Sequence, residues 1–270
     1  MSSISVLENM DTDGKRHQRL SISNAINNHF PNGSDGYIIT LGGLYTDKNG
    51  KLKHGSEIYW FLEMNRWNPK RIISVDNDPI TVNRNKSNMD PRCKGIVNIC
   101  GNFKDVVFQY SQKVNISVVN FDSCGDAHTH GWEVSCMMDD LNSTYKGEKT
   151  LFLTNWNIKG RSTGGAYDAF DVLKKSSFHQ GEREYSFHQV QRGFSAMIDE
   201  YTSSTWKHFG AEVNGKKDCD FKYVGGFNSP MQSVWFVREG NIKTLPQTKK
   251  NPVMVAAGKK AWETRRANGN

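Results

Sequence analysis

The chain has 270 residues, room for one large domain or two small ones. Charged residues make up 23%, mean hydropathy is −0.66 and no apolar run approaches the ~20 residues of a helical bilayer span, so a soluble globular protein is expected. The net charge of +7 and pI near 9.1 favour a polyanionic partner, while five cysteines without a CxxC pair speak against a disulfide framework and for a reducing cytoplasm.

In chain order, GKRHQRLSISNAINNHF (Gly14 to Phe30) predicts a helix closed by Pro31-Asn32-Gly33. GYIITLGG (Gly36 to Gly43) predicts a first buried strand ending on two glycines, and Asp47-Lys48-Asn49-Gly50 a hairpin turn. Ser56 caps a helix to Trp67, Arg71 to Val75 forms a second strand ending at Asp76, and a helix follows Pro79. A third strand is expected near Gly95 to Ile99 and a fourth in VNISVVNFD, stopping at Asp122. GWEVSCMMDDLNSTY predicts a helix, KTLFLTNW (Lys149 to Trp156) a fifth strand, and Tyr185 to Phe209 a long helix. CDFKYVGGFNSPMQSVWFVREG predicts two closing strands around Asn228-Ser229-Pro230.

Strands alternating with helices imply βαβ crossovers and a mainly parallel sheet. Residues 1–35 are expected to form an N-terminal helical segment, 36–240 the sheet domain, and 241–270 a linker and basic tail helix. The last 28 residues carry seven Lys or Arg against one Glu.

In an open parallel sheet, ligands bind outside the carboxyl ends of the strands. Gly42 and Gly43 there let backbone approach a ligand, or simply make a tight turn. Asp76, with Asp78 two residues on, is placed to accept from ribose hydroxyls, or to cap the next helix. Asn102 could face an adenine edge or cap its own helix. Asp122 falls where a substrate or the reacting end of a cofactor would lie, and Asn155 beside Trp156 could line a substrate pocket or form a packed turn. The pattern Cys124, His128, His130, Cys136 does not have paired zinc spacing, so no metal is expected, and nothing local to Cys124 supplies an activating base.

Taken in order, IITLGGL, IISVDNDP, ICGNFKDVV and ISVVNFDSCGD resemble the first four motifs of class I S-adenosylmethionine-dependent methyltransferases, over roughly Gly36 to Glu239. Thr40 stands where that family has an acidic residue, and the fourth motif has neither a Pro-Pro nor a Pro-Cys pair. The resemblance implies an α/β fold with a seven-stranded, mainly parallel sheet, helices on both faces and a closing antiparallel hairpin. It implies S-adenosylmethionine as cofactor, held by Thr40, Gly42, Gly43, Asp76, Asn77, Asn102, Phe103 and Asp122. Asp122 would orient the acceptor or take its proton, and Ser123, Cys124, Asn155 and Trp156 would border the acceptor. With the net charge, nucleic acid is the expected substrate, contacted by Lys259, Lys260, Arg265 and Arg266 of the tail. An inactive scaffold that binds nucleic acid or a protein is the alternative, and the Asn- and Ser-rich composition suits a phage or mobile-element protein.

Overall fold

The computed structural model describes residues 13–87, 90–144, 148–157, 205–209, 211–213, 216–218, 221–224 and 230–239. Five helices and ten strands are described: α1 (Asp13–His29), β1 (Tyr37–Leu41), α2 (Glu57–Glu63), β2 (Ile72–Asp76), α3 (Pro79–Ser87), β3 (Val97–Cys100), α4 (Phe103–Ser111), β4 (Ile116–Asp126), α5 (Ala127–Ser143), β5 (Thr150–Asn157), β6 (Lys207–Phe209), β7 (Ala211–Val213), β8 (Lys216–Asp218), β9 (Phe221–Val224) and β10 (Pro230–Arg238). The main sheet runs β3-β2-β1-β4-β5-β10-β6, with β9 also on β10 and β7-β8 a separate hairpin. β3 through β5 are parallel, and β10 is antiparallel to β5. Strand order reverses between β1 and β4, the topological switch point at which such sheets bind ligands. The sheet has eight strands where the resemblance implied seven, because β6 and β9 lie end to end along the outer edge of β10.

Successive strand residues point to opposite faces, and two cores follow from that alternation. Ile39, Ile73, Val75, Val119, Phe121 and Phe152 pack under α4 and α5. Helix α5 supplies Val134, Met137, Met138 and Leu141, at the i, i+3, i+4, i+7 spacing of one helical stripe. On the other face, Ile38, Ile72, Val118, Leu151 and Leu153 pack against Ile22, Ala25 and Ile26 of α1 and Ile58 and Phe61 of α2. The N-terminal helix therefore shares the sheet's own core.

Local chemistry sets the element ends. Ser56 accepts from Tyr59 N to start α2, and Arg66, at φ 52°, marks a left-handed turn after the helix, short of the expected Trp67. The Asp47 turn closes on a Thr46–Leu52 bridge, and that loop is pinned to the sheet edge by Leu52 N donating to Asp90 Oδ2 and Tyr45 Oη donating to Asn98 Oδ1.

Two expectations need correction. Lys207–Phe209 is strand β6, not the end of a helix, because it pairs with Trp235–Val237 of β10 while Trp206 packs edge-on against Phe152. Tertiary edge pairing overrides the local helical pattern there; residues 185–204 lie outside the described residues. Strand β4 also does not stop at Asp122 but continues to Asp126. Its partners on β5 go from Asn155, opposite Asp122, to Asn157, opposite Asp126, so four residues of β4 span two of β5. Such a bulge bends the strand and re-aims side chains, as bulges beside sites do.

Candidate functional site

Side-chain parity puts Thr40 of β1, Asp76 of β2, Asn120 and Asp122 of β4, and Asn155 of β5 on the α1–α2 face, at the carboxyl ends of neighbouring strands. Thr40 and Asn120 are register partners, and Asn120 Nδ2 donates to Thr40 Oγ1 at 3.0 Å. Two residues further along each strand come Gly42 and Asp122.

Gly42 N donates to Val75 O at 2.5 Å as the chain leaves β1, and a Cβ at Gly42 would lie 2.5 Å from Ser74 Oγ. A side chain there would force Ser74 to shift. Gly43 is exposed, a Cβ there would meet nothing within 4 Å, and its carbonyl is fixed by Asn85 Nδ2 at 2.8 Å. The two glycines form a firm backbone corner with open space above it.

The readings of Asp76 and Asp78 separate. Asp78 is the helix cap: it accepts from Ile80 N, Thr81 N and Thr81 Oγ1, which holds its carboxyl below the ordinary range. Asp76 uses Oδ1 to receive Asp78 N at 2.8 Å, and burial pushes its carboxyl above the ordinary value against that bond. Asn77 is exposed beside it, and its carbonyl receives Cys100 Sγ. Asn102 Oδ1 is taken up in capping α4 through Lys104 N and Asp105 N. Phe103 is 6% exposed and stacks on Phe121 at 5.2 Å, within the core of the opposite face. The strand ends thus gather Gly42, Gly43, Asp76, Asn77, Thr40 and Asp122, while Phe103 sits beneath.

Asp122 is where the structure adds most. Lys15 Nζ of α1 bonds Asp122 Oδ2 at 2.8 Å, with side chains 5% and 13% exposed. Burial works to raise the Asp122 carboxyl, but the charge and hydrogen bond of Lys15, then Arg19 and Asn155, hold it below the usual range. Arg19 Nε in turn bonds Glu57 at the start of α2 at 3.1 Å. Asn155 is fully buried and its Oδ1 receives the Ser233 hydroxyl of β10. Asp122 Oδ1, Asn120 Oδ1 and both amide atoms of Gln18 are buried without a hydrogen-bond partner among the described residues. Buried polar groups are nearly always paired in folded proteins, so Asn120 and Asp122 make the end of β4 a candidate ligand site.

Lys15, Gln18, Arg19, Glu57, Asn120 and Ser233 had no place in the sequence reading. A signal existed: Ile22, Ala25 and Ile26 form the buried stripe of α1, and one heptad back the same stripe falls on Lys15, Gln18 and Arg19. Polar residues on an apolar stripe need a buried polar counterpart. Ser123 and Cys124 lie in the β4 bulge and Trp156 on β5, but their side chains, and Lys259, Lys260, Arg265 and Arg266 entirely, lie outside the described residues. Cys136 on α5 is partly buried, which pushes its thiol up to about 11. Among the described residues no three His, Cys, Asp or Glu side chains are grouped to hold a metal.

No protein-family model matches the sequence, and no curated protein matches it. Solved structures with similar folds include a pre-rRNA processing fibrillarin of Methanococcus jannaschii, at 10% identity over 77% of this chain and 68% of that one, with TM-score 0.41. NSun6 of Pyrococcus horikoshii is 7% identical over 86% of this chain and 52% of its own, with TM-score 0.47. A putative O-methyltransferase of Klebsiella pneumoniae is 12% identical over 86% and 88%, with TM-score 0.43. The strand order, the glycine corner at the switch point and the antiparallel β10 beside β5 give this chain a Rossmann-like fold of the class I methyltransferase type.

Proposed function

We propose that the chain is an S-adenosylmethionine-dependent methyltransferase acting on nucleic acid. The observation that carries the cofactor reading is the placement of two carboxylates, Asp76 and Asp122, on one face at the ends of β2 and β4, on either side of the Gly42–Gly43 corner. The residues present fit the cofactor: Asp76 bonds Asp78 N through Oδ1 and has Oδ2 for ribose hydroxyls, Gly43 leaves open space, and Asp122 adds a second carboxylate two strands away. When bound, the cofactor would supply an electrophilic methyl group. The protein's part is alignment of donor and acceptor, the main source of rate in such transfers.

The electrostatics refine the role of Asp122. A carboxylate held low by a buried lysine is a weak proton acceptor at neutral pH. It acts as a fixed negative charge, and the acceptor's proton leaves to solvent. The acceptor would enter from the β5 side, past Ser123, Cys124, Asn155 and Trp156. The nucleic-acid part of the reading is supported by the net charge of +7 and by the basic residues of the tail.

Calorimetric titration with S-adenosylhomocysteine tests the cofactor: micromolar binding that Asp76→Ala weakens about tenfold or more supports it. No binding at millimolar ligand sinks it. That second outcome would favour a nucleic-acid-binding scaffold without activity, a reading that Thr40 supports, since a buried hydroxyl bonded to Asn120 replaces the acid expected there.

A further inference from the structure

We propose that the hairpin between β1 and α2, with the aromatic rings at its foot, is a docking surface for single-stranded nucleic acid. Lys48, Lys51 and Lys53 take phosphates, and the His54–Tyr59 ring pair takes an unpaired base. This rests on the nucleic-acid part of the reading above and gives it a surface within the fold, apart from the tail.

The hairpin is a firmly held arm. The Thr46–Leu52 bridge and Lys53 N donating to Tyr45 O at 2.9 Å join its two sides. Asp47 closes the tip, its Oδ1 receiving Asn49 N at 2.8 Å and Lys51 N at 2.9 Å, with Gly50 at φ 76°. Leu44, Tyr45 and Leu52 are buried, and the last two belong to the core of the α1–α2 face. Successive residues of an extended segment alternate sides, so Lys51 and Lys53, flanking the buried Leu52, face outward. Lys48, Lys51 and His54 are exposed, and Lys53 is half-buried.

Positive charge is in excess on this surface. From Thr46 to His54 there are three lysines against one carboxylate, Asp47, and none of the three is in an ion pair among the described residues. The acidic groups around the hairpin are engaged in ion pairs: Glu57 bonds Arg19, and Asp90 and Glu63 share Arg92. A fixed run of unpaired ammonium groups attracts a polyanion, whose condensed counterions are released on contact.

The rings favour a polynucleotide strand over other polyanions. The His54 and Tyr59 ring centres are 4.2 Å apart at 38°, and Trp60 Nε1 donates to His54 O at 3.0 Å, tying the foot of the hairpin to α2. An exposed ring backed by a second ring presents a π-face beside the lysines, the combination by which proteins hold unpaired bases without reading their sequence. The hairpin reaches β3 through Tyr45 Oη on Asn98, so it lies on the side of the site away from β5. β3 and β5 are four inter-strand spacings apart, about 19 Å. The surface therefore holds a flanking stretch of the strand, not the acceptor itself.

Fluorescence anisotropy with the full chain and labelled oligo-dT or oligo-U of about twelve nucleotides, over a range of salt, tests this. The chain carrying Lys48→Gln, Lys51→Gln and Lys53→Gln should lose about 100-fold in affinity at about 0.1 M salt, and its slope of log affinity against log salt should shrink by about 2. Tyr59→Leu, which keeps an apolar side chain against the core, should lose about tenfold with the slope unchanged. Both chains should keep the wild-type thermal midpoint. If the triple variant does not, Lys48→Gln at the exposed tip decides, through a slope smaller by about 0.7. Unchanged affinity and slope in the lysine variant would overturn the proposal while leaving the nucleic-acid reading to the tail. So would a duplex of the same length binding more tightly than the single strand, or poly-glutamate competing as well as the oligonucleotide at equal charge. Failure of the wild type to bind either oligonucleotide would overturn the nucleic-acid reading, and this surface with it.

Discussion

The two faces of the sheet bury side chains for different ends. Under α4 and α5, Phe103, Val106, Val107, Met137 and Met138 meet Val119, Phe121 and Phe152 in an apolar layer that reaches the carboxyl ends of the strands. Under α1 and α2 the layer is equally apolar around Ile22, Ile26, Ile38 and Val118, but gives way at the carboxyl ends to Lys15, Gln18, Arg19, Asn120, Asp122 and Asn155. Burying such groups lowers stability relative to apolar side chains of the same size unless every bond is made. The contrast separates a face that is apolar to its end from a face whose carboxyl end is polar and carries the candidate site.

The largest way to test that contrast is to break the buried pair. Asp122→Ala removes a carboxylate bonded to the buried Lys15 and should cost about 3–5 kcal/mol in urea unfolding. Replacing both members, Lys15→Met with Asp122→Leu, should recover most of that loss while S-adenosylhomocysteine binding stays lost. Recovery of binding in the double variant would show that the pair serves packing alone.

On the apolar face, Phe121→Ala removes a ring stacked on Phe103 and should cost about 3–4 kcal/mol. Its effect on ligand affinity should be small once measurements are made at a temperature where the variant is folded. A specific loss of affinity in the folded variant would erase the distinction between the faces. Gly42→Ala comes next: the added methyl meets Ser74 Oγ, and overpacking of this kind costs about 1–3 kcal/mol. It should weaken the ligand as well, whereas Gly43→Ala, with nothing within 4 Å, should weaken the ligand with little change in stability.

The two carboxylates should also titrate in opposite senses. Asp122 is held low in the fold, so its contribution is present above the unfolded carboxylate value, about 3.9, and is lost as pH falls through the folded value. Asp76 is raised by burial, so its contribution is present below the unfolded value and is lost as pH rises through the folded one. Urea midpoints from pH 3 to 7 should therefore show Asp76→Asn more stable than wild type near neutrality, with ligand affinity reduced. An Asp76→Asn chain less stable at pH 7 would contradict the sign. The smallest effect is expected at Asn102→Ala, about 1 kcal/mol from the lost cap of α4.

Much of the fold was legible because it rests on local patterns. Strands β1 to β5, the helices between them and the caps Ser56 and Asn102 follow from apolar period and capping chemistry. The edge of the sheet was not legible. Lys207–Phe209 carries no strand signal of its own and becomes one only because β10 offers an unpaired edge there. The site was half legible for the same reason. Gly42, Asp76 and Asp122 follow strands and can be placed by their position, whereas Lys15 lies 107 residues from Asp122.

The sequence by itself determined the alternation of strands and helices, the glycine corner and the carboxylates at the strand ends, because periodicity and turn chemistry act over a few residues. Only the tertiary structure decided that Asp78 caps a helix while Asp76 bonds Asp78 N through Oδ1, that β4 bulges beyond Asp122, and that Lys15 reaches the end of β4. Those outcomes depend on which helix face meets which strand end. That is fixed by burial of the whole α1 stripe against the sheet, an energy spread over distant residues that no local segment contains.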